Sequence, residues 1–175
     1  IFHNQLLIEA ILKGDLAEME SIFPLKPPLN SNHANRNGKS PLETAACGPY
    51  PLSTKVAIIN TLFQHGARVN LDLVENILKN QNLAIEERLA MVTVIYEHDS
   101  YFRLTQEILD KLIECGFDFN RKTKTGKNFL HAFLSFPPHD EKCLQWILKT
   151  FPHQKKEWDN SGKLPIFLWR VDLEK

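Results

Sequence analysis

The sequence predicts an all-α chain in which short helix hairpins stack in file, a solenoid of helix-turn-helix units with an irregular middle. Three observations predict it. Apolar residues recur at helical spacing in seven short segments. Glycine or proline separates most of those segments. No run keeps the strict alternation of a half-buried strand, except Phe117 to Asn120. A helix of about ten residues is marginal alone in water, so each must be held by its neighbours.

Taken in order, Leu7, Ile8, Ile11 and Leu12 form the first stripe, ended by Gly14, and Leu16, Met19, Ile22 and Phe23 form the next, ended by Pro24. Ser53 is placed to cap a helix bearing Val56, Ile59, Leu62 and Phe63, which stops at Gly66. Leu73, Val74, Ile77 and Leu78 follow, then Leu89, Val92, Ile95 and Tyr96. Ile108, Leu109, Leu112 and Ile113 repeat the pattern before Gly116. Beyond Pro137 and Pro138, Asp140 is placed to cap a helix with Leu144, Ile147, Leu148 and Phe151.

At 175 residues the chain is expected to be a single domain over residues 1–175, and its start at Ile1 reads as a fragment of a longer protein. Apolar residues make up 43% and charged residues 24%, a folding rather than a disordered composition. Lys plus Arg and Asp plus Glu each total 21, so no global field draws the chain to nucleic acid or an anionic membrane, and neither is an expected partner. Three widely spaced cysteines, Cys47, Cys115 and Cys143, fit neither a disulfide framework nor paired zinc motifs. A reducing, cytoplasmic location is expected, with no signal peptide or membrane span in view.

Three glycine-centred segments align. The first runs Asn35-Arg36-Asn37-Gly38-Lys39-Ser40-Pro41-Leu42-Glu43-Thr44-Ala45-Ala46. The second is Thr123-Lys124-Thr125-Gly126-Lys127-Asn128-Phe129-Leu130-His131-Ala132, and the third is Asp159-Asn160-Ser161-Gly162-Lys163-Leu164-Pro165-Ile166-Phe167-Leu168. Two helix exits also match, Gly66-Ala67-Arg68-Val69-Asn70 and Gly116-Phe117-Asp118-Phe119-Asn120. At these residues the chain resembles the ankyrin-repeat family, whose unit joins an Asp-x-x-Gly-x-Thr-Pro-Leu-His-x-Ala turn to two antiparallel helices. Glu43, Phe129 and Phe167 depart from that pattern. Gly126 and Gly162 are 36 residues apart, close to one family period, whereas Gly38 and Gly126 are 88 apart, and beyond the first unit's own helix ending at Gly66 three helical stripes precede Gly126 where two full units would supply four helices. The resemblance therefore implies four to five units, the last incomplete, with a helix missing, unrecognised or replaced by an insertion around Asn80 to Glu86 or His98 to Arg103.

It also implies a function: a non-enzymatic module that binds another protein through its turn tips and the exposed side of each first helix. Carrying the family's contact positions over gives Arg36, Asn37, Lys39, Cys47 and Gly48; Lys124, Thr125, Lys127, Ser135 and Phe136; and Asn160, Ser161, Lys163, Val171 and Asp172. A lysine follows the glycine in each turn, and Arg121 and Lys122 would thicken that basic column, which suits a partner with an acidic surface. Trp158, just before the third turn, is a candidate anchor. Leu42, Leu130 and Ile166 are expected between neighbouring units; if the array continues past this chain, Ile166 becomes exposed instead. The alternative function is a targeting domain of a larger effector enzyme. Asparagine and lysine usage is similar in style to ankyrin effectors that intracellular bacteria such as Legionella deliver into host cells, which would place it in the host cytoplasm.

Catalytic chemistry has little support in the sequence. Cys47 and His131 are candidates for a nucleophile and base, but the resemblance gives that histidine a structural role. His139 and Cys143, four apart, could share a metal, yet lack a second ligand pair. Gly-rich phosphate loops are absent, and no cofactor is expected.

Overall fold

A computed structural model describes residues 2–24, 38–70, 72–98, 103–135 and 139–167, with side chains from residue 4 onward. All regular structure among them is helical: α1 (Phe2–Lys13), α2 (Leu16–Ile22), α3 (Pro41–Cys47), α4 (Leu52–Gln64), α5 (Leu73–Lys79), α6 (Ile85–Glu97), α7 (Gln106–Glu114), α8 (Phe129–Leu134) and α9 (Glu141–Thr150), followed by a 3-10 helix, Pro152–Lys156. Successive helices pack as hairpins, α1 on α2, α3 on α4 and α5 on α6. Across hairpins the odd-numbered helices form one file, α1 on α3, α3 on α5, α5 on α7 and α7 on α9. A second file runs through α4 and α6. The all-α stacked helix-turn-helix architecture expected from the spacing is the one observed.

Local chemistry sets most boundaries. Asp15, Ser40, Thr105, Asn128 and Asp140 each accept a hydrogen bond from the backbone N–H three residues on, which starts α2, α3, α7, α8 and α9. Pro41 sits in the first turn of α3, where its missing N–H costs nothing. Ser53 does not cap α4; Pro51 holds that position, its fixed φ of −56° letting the helix begin at Leu52. At the far ends, Gly66 (φ 83°) and Gly116 (φ 81°) adopt the left-handed conformation. It lets Ala67 and Phe117 donate back to the Leu62 and Leu112 carbonyls at 3.0 Å.

The core follows the stripes, with two corrections. Leu7, Ala10 and Ile11 are fully buried in α1, whereas Leu12, one step of about 100° round the helix, is 55% exposed. Likewise Leu109 and Leu112 are buried in α7 while Ile113 faces out.

The irregular middle lies where α6 gives way to α7. Asn80 to Ala84 is a tight link between α5 and α6, which pack on each other, with Leu83 donating to the Asn80 carbonyl at 3.2 Å, so no insertion replaces a helix there. The second interval named from the sequence, His98 to Arg103, includes residues 99–102, outside the described residues. Helix α7 packs on α5 in the first file, although its Gly116 exit matches that of α4 in the second. Residues 117–120 form no strand, yet burial alternates there: Phe117 and Phe119 are buried and Asp118 and Asn120 exposed. Phe117 meets Tyr96 and Phe129 at ring distances of 5.4 and 5.9 Å, and Phe119 meets Trp146 and Phe151 at 5.1 and 5.8 Å. This aromatic cluster supplies core beside the irregularity; each such pair is worth about 0.5–1.5 kcal/mol beyond its burial.

Candidate partner-binding surface

Two turns share one construction. Thr123 and Asp159 hold equivalent places, and each donates its N–H to the carbonyl four residues on, Lys127 or Lys163, at 2.9 Å. The glycines Gly126 (φ 79°) and Gly162 (φ 74°) return an N–H to the Thr123 and Asp159 carbonyls. The side-chain oxygen of the leading residue then accepts from inside the loop: Thr123 Oγ1 from the Thr125 and Lys127 amides, Asp159 Oδ1 from those of Ser161 and Lys163. Burial pushes the Asp159 carboxyl up, but the Lys163 and Ser161 amides outweigh it and hold its pKa below the ordinary value.

The turns are stacked. Asn160 donates its backbone N–H to the Thr125 carbonyl at 2.9 Å and its side-chain amide to the Lys124 carbonyl at 3.4 Å. Lys124 in turn donates its N–H to the Glu97 carbonyl at the end of α6. A Cβ at Gly126 would run into the Asn160 side chain, so the spacing between turns requires glycine there as well as positive φ.

Behind the tips, His131 is fully buried. Its Nδ1 lies 3.1 Å from the Asn128 backbone nitrogen and 2.8 Å from the Asn128 Oδ1, and its Nε2 lies 2.9 Å from the Lys163 carbonyl, which requires a proton on Nε2. Burial lowers its pKa, against the opposing pull of the Lys163 carbonyl. Gln154, also fully buried, accepts from the Leu130 N–H at 3.1 Å and donates to the Phe119 carbonyl at 2.6 Å. Its own carbonyl accepts from the Asn128 side chain at 2.8 Å. It ties the Phe119 segment, α8 and the 3-10 helix together.

The structure brings Lys124, Thr125, Lys127, Asn160 and Lys163 onto this turn pair. Lys124, Asn160 and Lys163 are exposed and Trp158 is 60% exposed beside them. Arg36, Asn37 and Phe136 lie outside the described residues. Arg121 and Lys122 do not extend the basic column as expected, because Arg121 pairs with Glu97 and Lys122 with Glu157 at 3.0 Å. Burial pushes Glu157 up, but its bonds to Lys122 and Asn128 hold its pKa below the usual value. Ile166 is 51% exposed rather than buried like Leu42 and Leu130, each 2% exposed.

Lys39 lies elsewhere, exposed at the entry to α3, where it lines a cavity of about 460 Å³ with Cys47, Gly48, Tyr50, Lys55, Asn80, Asn82 and Glu87. Lys55 is 3% exposed and pairs with Glu87 Oε2 at 3.2 Å. The Tyr50 ring lies so close to Gly48 that a side chain there would displace it, and burial, with Cys47 nearby, pushes the Tyr50 pKa up to about 12. No sequence signal marked Lys55 or Gln154, since each is a polar residue whose burial depends on segments remote in the chain.

The candidate residues of both chemical alternatives have partners inside the fold. His131 uses both ring nitrogens inside the scaffold, while Cys47 accepts from the Asn80 side chain at 3.5 Å. His139 Nε2 bonds to the Leu134 carbonyl at 3.0 Å, and burial, then Asp140, push the buried Cys143 thiol up to about 12. Among the described residues no three metal-ligating side chains converge, and no helix is long and apolar enough to cross a membrane.

No protein-family model matches the chain, and no curated protein matches it. Among solved structures, the crystal structure of an ankyrin repeat protein is similar over 97% of this chain and 92% of that chain, at 14% identity and a TM-score of 0.41.

Proposed function

We propose that this chain is a protein-interaction module of four to five ankyrin-type units forming one domain. It binds a partner protein with an acidic surface through the turn pair that carries Lys124, Lys127 and Lys163. The observation that supports it most is the stacking of turns 123–127 and 159–163 through the Asn160 to Thr125 hydrogen bond. That bond fixes the spacing of exposed lysines on a stiff backbone and leaves Trp158 beside them as an apolar anchor. Preorganised cations lose little entropy when a partner's carboxylates arrive, and aromatic anchors concentrate binding energy. Thr125 and Asn160 contribute mainly by holding the two tips in register.

The competing role, a targeting domain for a catalytic domain elsewhere in a larger protein, uses the same surface and differs only in what is attached to it. A cytoplasmic location suits either role, and the host-cell cytoplasm applies if the protein is a delivered bacterial effector. Partner capture with wild type and with the Lys124→Glu/Lys127→Glu variant tests the assignment. Loss of the captured protein from the variant is expected; identical capture by both would overturn it.

A further inference from the structure

Away from the turn pair, a narrow cleft lies between the α5–α6 corner and the end of α7, lined by Leu78, Ile85, Arg88, Lys111, Glu114 and Cys115. It contains an unsatisfied donor. Among the described residues Arg88 Nε is the one covered side-chain nitrogen or oxygen without a hydrogen-bond partner. Buried donors in folded proteins are nearly always paired, so this one marks a place where an acceptor is missing. The rest of the guanidinium is uncommitted too: among the described residues the Arg88, Lys111 and Glu114 side chains make no hydrogen bond or ion pair. Arg88 and Glu114 both lie close enough to act on the Cys115 thiol, whose pKa burial raises most, while, in smaller measure, Glu114 raises and Arg88 lowers it. About 10 Å³ of the cleft is open, room for a single oxygen-sized atom, and Ile85 lines it while 48% exposed.

We propose that Arg88 receives a glutamate or aspartate carboxylate from a segment of the partner protein, with Lys111 as the second cation and Ile85 packing against an apolar residue beside the acid. Nε and its neighbouring Nη form a planar fork that matches a carboxylate edge to edge. An opening for one oxygen beside Glu114 disfavours the larger, doubly charged phosphate. The proposal rests on the interaction-module function above and adds a separate contact at the other end of α6. The cleft takes in Ile85, the first residue of that helix, whereas the turn pair meets the carbonyl of Glu97, its last, about 18 Å along it.

The test titrates the whole ¹³C,¹⁵N-labelled chain with the acetylated, amidated peptide leucine–glutamate–serine–glycine, and with counterparts carrying glutamine or phosphoserine in place of glutamate. The NMR readout is the Arg88 Nε–Hε signal, assigned through the side-chain carbons, together with the backbone amides of Ile85 and Cys115. A saturable downfield shift of Hε with the glutamate peptide is expected, with about tenfold weaker binding of the glutamine peptide. Arg88→Lys keeps the charge and removes the fork, and should weaken binding about tenfold as well. Lys111→Gln should weaken it severalfold. Glu114→Gln should tighten binding and leave Hε of the free chain in place. No Hε shift with the glutamate peptide, equal binding of the glutamine peptide, or tighter binding of the phosphoserine peptide would overturn the proposal. So would a downfield Hε in the free wild type that is lost in Glu114→Gln, since Glu114 would then be the missing acceptor. Should Arg88→Lys fail to fold, as circular dichroism would show, Lys111→Gln and Glu114→Gln decide: unchanged affinity in both would overturn it. A captured partner lost on Lys124→Glu/Lys127→Glu but indifferent to Arg88→Lys would sink this contact alone. A partner indifferent to the turn variant would sink the larger assignment.

Discussion

Replacing Gln154 by alanine removes the side chain that bonds two backbone groups from different segments, the Leu130 N–H and the Phe119 carbonyl, at a position with no solvent exposure. A buried backbone group stripped of its partner costs about 1–3 kcal/mol, so the two together cost about 2–6 kcal/mol. The freed glutamine returns at most about 1.5–2 kcal/mol of rotamer entropy. Setting the middle of that range, about 4 kcal/mol, against the returned entropy leaves an expected net loss of about 2 kcal/mol, a large share of the stability of a single domain. Urea unfolding followed by circular dichroism reads it directly. With an m-value of about 2 kcal/mol/M the midpoint falls by about 1 M. Gln154→Glu should fare as badly, because a carboxylate cannot donate to the Phe119 carbonyl. A loss below about 1 kcal/mol in both variants would refute the claim that this glutamine ties α8 to the aromatic segment.

Because burial depresses the His131 pKa below its ordinary 6.5, the unfolded chain takes up a proton between those two values while the folded chain does not. Stability is complete above pH 6.5 and falls as the pH drops through that window, by at most about 1.4 kcal/mol per pH unit; urea unfolding should show this slope in wild type and not in His131→Gln. Gly126→Ala meets both a φ of 79° and the Asn160 side chain, whereas Gly162→Ala at φ 74° has open space. The second should cost about 1–2 kcal/mol and the first more, with faster hydrogen exchange at the Asn160 amide in the first alone. Among the three thiols, Cys143 is buried and pushed up to about 12 and Cys115 is buried and raised, so Cys47 should react first with a disulfide reagent at pH 8. Equal rates for Cys47 and Cys143 in the folded chain would contradict that order.

Much of this fold was legible because its signals are local. Helical stripes located seven helices, and the turn motif located α3 and α8, which are buried at nearly every position and so have no one-sided stripe: Ser40 and Asn128 cap them just after the left-handed glycines. Asp140 declared itself as a cap in the same way. Spacing alone could not say which side of α1 would exclude Leu12, since Ala10 is also apolar and takes the buried place. Nor could it foresee that Phe117 and Phe119 would join a cluster with Tyr96, Trp146 and Phe151, which depends on the helices around the irregular middle.

Lys127 and Lys163 were legible for the same local reason, each following a glycine that must sit at a tip. Their electrostatic surroundings were not. Glu97 and Glu157 are remote in sequence from Arg121 and Lys122, and only the folded chain sets them face to face. The Lys55 cavity was invisible for a related reason: Lys55 reads as an ordinary exposed charge in the first turn of α4 until α6 brings Glu87 against it.

The central claim, that the stacked turns form the partner-binding edge, is tested most directly by quantitative capture from lysate with three proteins. These are wild type, Lys124→Glu/Lys127→Glu on the turn pair, and Lys142→Glu/Lys149→Glu on the exposed side of α9. The two variants carry the same change in net charge, so general electrostatics cancels between them. Loss of the partner by the turn variant with retention by the α9 variant is predicted. Equal capture by the two variants would contradict the assignment.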